Sequence, residues 1–502
     1  MADVIIGNSM TAGATYGNSD VGITLNKGQQ AALDSMLSGK DVFITGVAGT
    51  GKSTVVREFI RRATEKGYHV IVTAPTGVAA ANVGGVTLHS QFQLSGVLEP
   101  NFYFPRYRER MQDNFEARWA AIEDMNILIL EEVSMIRYDY FERIMKIVYG
   151  LRESGHHVQV VASGDFGQLA PILVFNRGDK KGGMSEGDVF RSMFPHVGRE
   201  PWAFLSDLWN FDTYELKQVM RQSDEEFVKA LSKIRLGDYT GIDYINAHCA
   251  KEPQDDAVFL CGTNKDVDTL NNICLDSIKE PLYEFRADIT GEATISDVLI
   301  DDPLRLKVGA NVMTVVNNSD GGYQNGTFGV VERVYYLSDV PYVDVRLCSG
   351  RLVSVSPYTW EINAYERNYD GEFKKVVIGK VTGMPLKLRY AITAHKSQGQ
   401  TFDSAIYYMP YCFSPGQLYV ALSRVRSLSG LYIPNPIPYK CLITSQHVVE
   451  FYGDIYGYSN LRHNRRLAFE QAERDRIARI EQEHRNLLRQ NGGISFTYQN
   501  SF

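Results

Sequence analysis

The stretch that decides the fold is Gly46-Val47-Ala48-Gly49-Thr50-Gly51-Lys52-Ser53, which has the spacing G-x-x-x-x-G-K-S of a phosphate-binding loop. The apolar run 42–44 precedes it and predicts a short buried strand, and residues 54–63 predict a helix after it. The glycines let successive backbone N–H groups point at phosphate oxygens, and the positive end of the helix strengthens that attraction. The sequence therefore predicts a nucleotide site, and the flanking strand and helix argue against a chance glycine-rich turn.

Side chains of this loop predict the chemistry of the site. Lys52 can reach the β- and γ-phosphates of ATP, and the Ser53 hydroxyl can bind Mg²⁺. The predicted nucleotide-binding set in and beside the loop is Gly46, Gly49, Thr50, Gly51, Lys52, Ser53 and Thr54.

The composition of the 502-residue chain is that of a soluble globular protein, with 44 % hydrophobic and 22 % charged residues. The net charge is −7, so a nucleic acid would have to bind in a local groove rather than by overall charge. The six cysteines never form C-x-x-C, which favours reduced thiols in a cytoplasmic (or nucleoid or nuclear) setting over a zinc site or disulfides. Residues 1–24 lack the features of a secretion signal and predict a flexible arm, and no apolar run reaches membrane-spanning length.

Three further apolar runs, 69–72, 127–130 and 158–162, predict buried strands that alternate with helical patterns. This alternation is typical of an α/β fold with a parallel sheet and helices on both of its faces. Ligands of such sheets lie at the carboxyl ends of the strands. Because polar clusters follow each predicted strand, we expect them to meet at one edge of the sheet.

The rest of the chain changes character several times. Residues 276–383 alternate, are rich in Val and Tyr and contain turn signals, which predicts a small β-barrel insert. The predicted ranges are a first α/β domain at 25–200 with a candidate wedge at 93–124, a second at 201–275 and 384–450, and a charged helical tail at 451–502. For the tail, the charge pattern favours a solvated docking helix over a partner-binding coiled coil.

An NTPase needs a metal ligand, a base for water, a γ-phosphate sensor and positive charge at the transition state. Glu131 is the predicted Mg²⁺-side carboxylate and Glu132 the predicted general base, with a helix-capping pair as the alternative. Gln168 is long enough to contact both the attacking water and the γ-phosphate. Arg221 and Arg424 are the candidates for charge neutralisation, and either one alone could be an ordinary surface ion pair.

In chain order, the sequence segments that contain the phosphate loop, Glu131-Glu132, Gln168, Arg221 and Arg424 resemble the helicase motifs of the PIF-type DNA helicases of superfamily 1B. That family is related to the RecD-like enzymes. The resemblance runs from about Leu25 to Ile433, and its most specific blocks are A-H-K-S-Q-G-Q-T at 394–401 and Y-V-A-L-S-R at 419–424. It implies two RecA-like domains with ATP and Mg²⁺ between them, single-stranded DNA across their top and a barrel inserted in the second domain. Movement from 5′ to 3′ is implied by the resemblance alone.

The resemblance also implies roles for individual residues. Gln29 should read the adenine, and Arg221 and Arg424 should reach the phosphates from the second domain. Strand contacts, or residues beside them, are Thr76, His89, Thr263, Asn264, His395 and Ser397. The aromatic and basic residues 102–110 are candidates for splitting the duplex, and a surface loop with buried aromatics explains them equally well.

One residue departs from the family pattern, which has Asp-Glu where this chain has Glu131-Glu132. Mg²⁺ keeps several waters and can be held through one of them, so the longer side chain is tolerable. The predicted function is an ATP-dependent DNA helicase acting on single-stranded and forked DNA. The sequence does not indicate the oligomeric state, for which a monomer is the default expectation, and the tail is a candidate contact for replication or repair proteins. The alternatives are an RNA helicase or nucleic-acid-stimulated ATPase on the same core, a nucleotide switch without turnover and, more remotely, a small-molecule kinase.

Overall fold

The computed structural model describes residues 24–76, 79–80, 83–173, 185–219, 224–254, 257–295, 298, 300–318, 321–323, 325–367 and 373–455. The predicted arm up to residue 23, Arg221 and residues 456–502 of the predicted tail lie outside the described residues. Within the described part, no helix is both long enough and apolar enough to cross a membrane.

A six-stranded parallel sheet forms the first unit, with the strand order β3-β2-β4-β5-β1-β6. Its strands are β1 Val42–Thr45, β2 Val70–Ala74, β3 Val86–Thr87, β4 Ile127–Leu130, β5 Gln159–Ser163 and β6 Asp212–Glu215. The four predicted strands are confirmed as β1, β2, β4 and β5. Every residue of β1 and β4 is buried, which explains why residues 42–44 and 127–130 are unbroken apolar runs rather than alternating ones.

Helices cover both faces of this sheet. They are α1 Lys27–Leu37, α2 Lys52–Glu65, α3 Leu88–Phe92, α4 Phe104–Glu123 and α5 Tyr138–Glu153, and a further helix, α6 Glu186–Met193, packs against Tyr138 at the start of α5. Neighbouring residues of β1 point to opposite faces, so Phe43 packs in one core with α5 while Val42 and Ile44 pack in another with α1 and α2. The fold is therefore a three-layer sandwich, as the sequence predicts.

The predicted boundary between the domains at residue 201 is wrong. The strand β6 pairs parallel to β1, with Val42 opposite Asp212, and so completes the first sheet. Trp202 and Trp209 are buried in the same core as Phe43 and Phe141. The aromatic run 202–211 covers a face of the first sheet, which keeps this segment in the first unit.

The second unit begins with α7 Glu225–Arg235, α8 Thr240–His248, β7 Val258–Cys261 and α9 Asn264–Ser277. Asp224 caps α7, since its side chain accepts a hydrogen bond from the N–H of Phe227. The predicted stripe Phe227, Leu231 and Ile234 is buried in the core of this unit.

Antiparallel strands follow, as the sequence predicts for the insert. They are β8 Tyr283–Phe285, β9 Asp288–Gly291, β10 Leu304–Leu306, β11 Asn311–Thr314, β12 Phe328–Leu337, β13 Val340–Leu347, β14 Leu352–Val355, β15 Tyr358–Arg367, β16 Phe373–Gly383 and β17 Leu386–Leu388. They form sheets ordered β14-β13-β12-β11-β17, β15-β16-β9 and β10-β8. Closure into a barrel stays a prediction. The insert ends later than predicted, because β17 pairs with β11.

The chain then returns to the second unit with β18 Ala391–Thr393, β19 Ala405–Tyr408, α10 Gln417–Leu422 and β20 Leu431–Tyr432. These strands join β7 in a four-stranded parallel sheet ordered β18-β7-β19-β20. The two parallel α/β units fit a RecA-like fold.

The last described helix, α11 Gln446–Ile455, corrects the predicted start of a solvated tail at residue 451. Val448, Phe451 and Tyr452 are buried in the core of the first unit. The Phe451 ring stacks on that of Phe204 at a centroid distance of 4.4 Å. The chain therefore crosses back from the second unit and ends its described part on the first.

Candidate active site

The phosphate loop joins β1 to α2 and depends on glycine at two positions. Gly46 and Gly51 have φ angles of 148° and 80°. A Cβ atom on Gly46 would lie 2.4 Å from the Leu216 carbonyl oxygen, and one on Gly51 would lie 2.6 Å from Gln29 Nε2. The Lys52 ammonium donates to the Gly46 carbonyl at 2.9 Å and to that of Val47 at 3.3 Å, so it lies against the loop.

Gln29 supports this loop through both ends of its amide. Its Nε2 donates to the carbonyl of Thr50 at 3.1 Å, and its Oε1 accepts from the N–H of Asn26 at 3.0 Å. The side chain is buried, and with Asn26 it forms a capping box at the start of α1. In this conformation the amide braces the phosphate loop, and its reading of adenine stays a prediction.

The two predicted acids lie at the carboxyl end of β4. Glu131 is buried, and its Oε1 has no hydrogen-bond partner among the described residues. Burial and the neighbouring Glu132 raise the pKa of Glu131 to about 7. Glu132 has the left-handed φ of 48°, and its Oε2 accepts a long hydrogen bond of 3.5 Å from Gln398 Nε2 in the second unit. Neither acid caps a helix with its side chain.

Gln168 follows β5 and is buried next to the acids. Its Oε1 also has no hydrogen-bond partner among the described residues. Burying a polar oxygen without a donor is costly, so two such oxygens in one cavity indicate a site built for a ligand. Mg²⁺ and the waters bound to it would satisfy both oxygens, which is why the residues fit the Mg²⁺ that accompanies ATP.

A cavity of about 510 Å³ brings these residues together. Its wall in the first unit includes Lys52, Ser53, Thr76, Glu131, Glu132 and Gln168. Its other wall includes His395, Gln398 and Arg424 of the second unit, together with Met313, Asn325 and Lys387 from the insert. The predicted phosphate ligands thus lie on one side and a cationic side chain of a separate unit lies on the other.

Arg424 is held firmly in that second wall. It is only 2 % exposed, which rules out an ordinary surface ion pair. Its Nε donates to the Val420 carbonyl at 2.8 Å, and its Nη1 donates to the carbonyls of Ser397 and Gln400, each at 3.3 Å. These bonds to backbone carbonyls orient the guanidinium in the cavity wall. Arg221, the other predicted arginine, lies outside the described residues.

Of the predicted strand contacts, Thr76 and His395 line this same cavity. Thr76 Oγ1 accepts from the N–H of Ala79 at 3.2 Å. The His395 ring lies 6.1 Å from that of Phe413, nearly parallel to it, and Phe413 is 56 % exposed. Burial lowers the pKa of His395, so its imidazole is neutral near pH 7 and would stack on a base rather than attract a phosphate.

The other predicted contacts do not line the cavity. The His89 ring packs edge-on against Tyr140, and the backbone of Asn264 begins α9 with its side chain exposed. Thr263 caps α9, since its Oγ1 accepts from the N–H of Asp266 at 3.2 Å. Ser397 is fully buried, and its Oγ donates to the Ala394 carbonyl at 2.8 Å. Ser397 therefore supports the turn whose carbonyl accepts a hydrogen bond from Arg424, and its place beside the strand stays a prediction.

Of the aromatic and basic residues 102–110, those from Phe104 onward form the start of α4 rather than a loop. Tyr107 is buried with Trp119, in line with the interpretation of buried aromatics, while Tyr103 is 69 % exposed. The Arg110 guanidinium lies 5.5 Å from the Tyr107 ring centroid. The exposed basic edge of this helix leaves the wedge as a prediction.

Sequence reasoning assigned no role to a buried cluster around Asp165. The Asp165 carboxylate accepts from Arg235 Nε at 2.8 Å and from the hydroxyls of Tyr419 at 3.1 Å and Tyr452 at 3.2 Å. Burial alone would raise the pKa of Asp165, but Arg235 and Lys52 outweigh it and lower that pKa. Asp165 and Tyr419 do stand inside recognisable motifs, whereas Arg235 and Tyr452 are single residues of amphipathic helices with no sequence signal.

Comparisons with known proteins identify the family of this chain. Residues 24–243 match the family model described as PIF1-like helicase. ATP-dependent DNA helicase Pif1 of Campylobacter jejuni is 30 % identical over 458 residues, with 84 % of this chain and 96 % of the relative covered. The Pif1 of Bdellovibrio bacteriovorus is 31 % identical, with 87 % and 93 % covered. The crystal structure of Bacteroides Pif1 in complex with ADP-AlF3 and ssDNA has a TM-score of 0.66 at 31 % identity, with 87 % of this chain and 99 % of that chain covered. That of Candida albicans Pif1 has a TM-score of 0.69 at 28 % identity, with 86 % and 100 % covered. The chain belongs to the PIF1-like helicase family.

Proposed function

We propose that this protein is an ATP-dependent DNA helicase that moves along single-stranded DNA from 5′ to 3′ and unwinds duplexes at a fork. The observation that carries the proposal is the single cavity lined by the phosphate loop, by Arg424 and by Thr76 and His395. Phosphate chemistry and strand contacts then share the gap between two α/β units. When hydrolysis changes the width of that gap, the contacts to the DNA strand change with it.

Each wall has a part in hydrolysis. The backbone of the phosphate loop and Lys52 hold the β- and γ-phosphates, and Glu132 accepts the proton of the attacking water. Gln168 orients that water and contacts the γ-phosphate, and Gln29 lies behind the loop as the reader of adenine. Mg²⁺ would be held by Ser53 and Glu131 and would neutralise phosphate charge there.

Arg424 and Arg221 supply positive charge from the second unit. ATP favours a closed gap because its phosphates, held by one unit, attract the guanidinium of the other. Once the γ-phosphate has left, that attraction weakens and the gap reopens. Alternating grips on the strand by the contacts of the two units convert closure into steps, which is a differential-affinity argument.

Single-stranded and forked DNA are the proposed partners, and the proposed strand contacts are Thr76, His89, Thr263, Asn264 and His395, with Ser397 beside them. Relatives of similar architecture support this: one solved Pif1 structure concerns DNA unwinding at forked dsDNA and another is bound to ssDNA. The exposed edge of α4 is the proposed element that separates the duplex. The ranges 24–219 and 446–455 form the proposed first domain, and the rest of the described chain forms the second domain with its insert.

The test uses two forked duplexes, each with one single-stranded arm and one paired arm. They differ only in whether the single-stranded arm is the 5′ tail or the 3′ tail. We expect unwinding with ATP and Mg²⁺ on the fork with a 5′ tail and not on the one with a 3′ tail. Unwinding of the 3′-tailed fork alone would overturn the polarity. Stimulation of ATP hydrolysis by matched DNA and RNA oligonucleotides is measured in parallel, and preference for RNA would overturn the choice of DNA.

A further inference from the structure

The short helix α10 contacts the first unit at its start and in its middle, and it ends just before the catalytic arginine. Gly416, its N-cap, has a φ of 75°, and a Cβ atom added there would lie 2.2 Å from the carbonyl oxygen of Gln168. Tyr419 in the middle of the helix reaches the phosphate loop. Arg424, two residues beyond the helix, lines the nucleotide cavity. Contacts on the first unit therefore fix the helix that leads to Arg424.

The Tyr419 hydroxyl makes two hydrogen bonds to groups of the first unit. It accepts from the backbone N–H of Ala48 at 2.9 Å and donates to Asp165 Oδ2 at 3.1 Å. The side chain is 1 % exposed, and burial raises the pKa of Tyr419 well above its ordinary value, so the phenol stays protonated and can donate. One hydroxyl of the second unit thus joins the phosphate loop to the acid that follows β5.

The carboxylate that receives this hydroxyl is itself fixed. Arg235 in α7 donates to Asp165 Oδ1 at 2.8 Å, and the N–H of Gly167 donates to the same oxygen at 3.0 Å. A Cβ atom on Gly167 would lie 2.4 Å from Arg235 Cγ, which shows how closely the two units approach. Because Asp165 cannot move freely, its bond to Tyr419 fixes the position of α10 rather than following it.

We propose that Tyr419 is a positioning residue for ATP hydrolysis, whose hydroxyl ties α10 to the phosphate loop and thereby sets where Arg424 lies against the phosphates. Nothing else assigns this residue a role. The proposal rests on the proposed function and adds a residue to it. Ala48 is part of the phosphate loop, so a change in the loop reaches Arg424 through one side chain.

The main test replaces Tyr419 with phenylalanine, which keeps the buried ring and removes only the hydroxyl. In ATPase assays with saturating single-stranded DNA we expect kcat to fall about tenfold, or about 1.4 kcal/mol in barrier height. KM for ATP should change less than about twofold, because the groups predicted to bind ATP are intact. An unchanged kcat would overturn the proposal.

Tyr452→Phe is the matched control, because it also removes a hydroxyl that donates a hydrogen bond to Asp165. The Tyr452 hydroxyl bonds to Asp165 Oδ1 at 3.2 Å, to Thr45 Oγ1 at 2.9 Å and to the N–H of Phe166 at 3.1 Å, all groups of the first unit. We expect its Tm to fall at least as far as that of Tyr419→Phe, with kcat within about twofold of the wild type. An equal loss of kcat in both variants would mean that the hydroxyls only support Asp165, and would overturn the proposal.

A double-mutant cycle tests whether Tyr419 acts through the arginine. Lysine at position 424 cannot make the guanidinium contacts of arginine. In the Arg424→Lys enzyme, adding Tyr419→Phe should therefore lower kcat by less than about threefold relative to Arg424→Lys alone. A full tenfold loss in that background would place the effect elsewhere and overturn the proposal.

Hydrogen exchange keeps this inference separate from the proposed function. Peptides that cover residues 46–51 should exchange faster in Tyr419→Phe than in the wild type, because the Ala48 N–H loses its acceptor, and no faster in Tyr452→Phe. A wild-type protein without ATPase activity would overturn the proposed function. Unchanged exchange in Tyr419→Phe, or unchanged kcat beside an active wild type, would overturn the inference alone.

Discussion

The two walls of the nucleotide cavity are built in different ways. In the first unit, eight consecutive residues, 46–53, supply a loop whose backbone geometry is fixed by glycines and by the start of α2. In the second unit, the wall combines His395, Lys396 and residues 398–400 with Arg424 and parts of the insert, which meet only after the whole unit has folded. The phosphate-binding part of the first wall is local in sequence, whereas the second wall is assembled over long range.

This difference separates binding from turnover. The local wall can hold phosphates by itself, since backbone N–H groups and Lys52 belong to one strand–loop–helix segment. The long-range wall contributes a guanidinium held by carbonyls of two other segments, and it faces the phosphates only when the units are correctly placed. We therefore expect damage to the second wall to lower kcat and to leave ATP binding in place.

The largest expected effect is that of Arg424→Ala. By analogy with arginine fingers, we expect the DNA-stimulated kcat to fall by about 10³–10⁵. The Kd for ATP, measured with a fluorescent analogue, should rise far less. Arg426→Ala is the matched control, because Arg426 is exposed and pairs with Asp403 at the surface. An Arg424→Ala enzyme that lost ATP binding as severely as turnover would contradict the division between the walls.

Glu132→Gln tests the first wall and should have the next largest effect. Removing a general base lowers kcat by about 10²–10⁴, while the amide keeps the size of the side chain and its contact with Gln398. ATP binding should persist, which equilibrium binding with Mg²⁺ checks. Glu131→Gln, made in parallel, should instead raise the Mg²⁺ concentration needed for activity. If hydrolysis survives in Glu132→Gln, the assignment of the base is wrong.

The same division explains how much could be predicted from the sequence. The phosphate loop, β4 with its two acids and β5 with Gln168 are contiguous segments whose apolar runs and glycines predict their own geometry. The predicted boundary at residue 201 is wrong because β6 pairs with β1, with Val42 opposite Asp212, and no local pattern indicates so distant a partner strand. Arg235 and Tyr452 have no sequence signal for the same reason. Their role is to hold the Asp165 carboxylate, which only folding brings next to them.

His395→Ala tests the strand side of the second wall. Stacking of a base on an aromatic ring contributes about 1–3 kcal/mol, so the Kd for single-stranded DNA should rise by about 5- to 150-fold. Because burial lowers the pKa of His395 and the ring is neutral, the salt dependence of binding should not change. The control is the neighbouring Lys396→Ala, which removes a charge and should flatten the salt slope by about 0.7. A flatter slope in His395→Ala would contradict a stacking role.

Thr263→Ala should have the smallest effect and decides between two roles for one residue. The resemblance gives Thr263 to the strand, whereas its Oγ1 accepts from the N–H of Asp266 and donates to Asp266 Oδ2 at 2.7 Å as the cap of α9. Loss of such a cap costs about 0.5–2 kcal/mol of unfolding free energy, which a denaturant titration measures. Thr263→Ser keeps the hydroxyl and should restore stability.

If alanine weakens the binding of single-stranded DNA without lowering stability, Thr263 belongs to the strand path and the second wall extends to α9. If stability falls and binding persists, the wall ends at His395. The Thr263 hydroxyl then uses its hydrogen on the Asp266 carboxylate and cannot donate it to a phosphate.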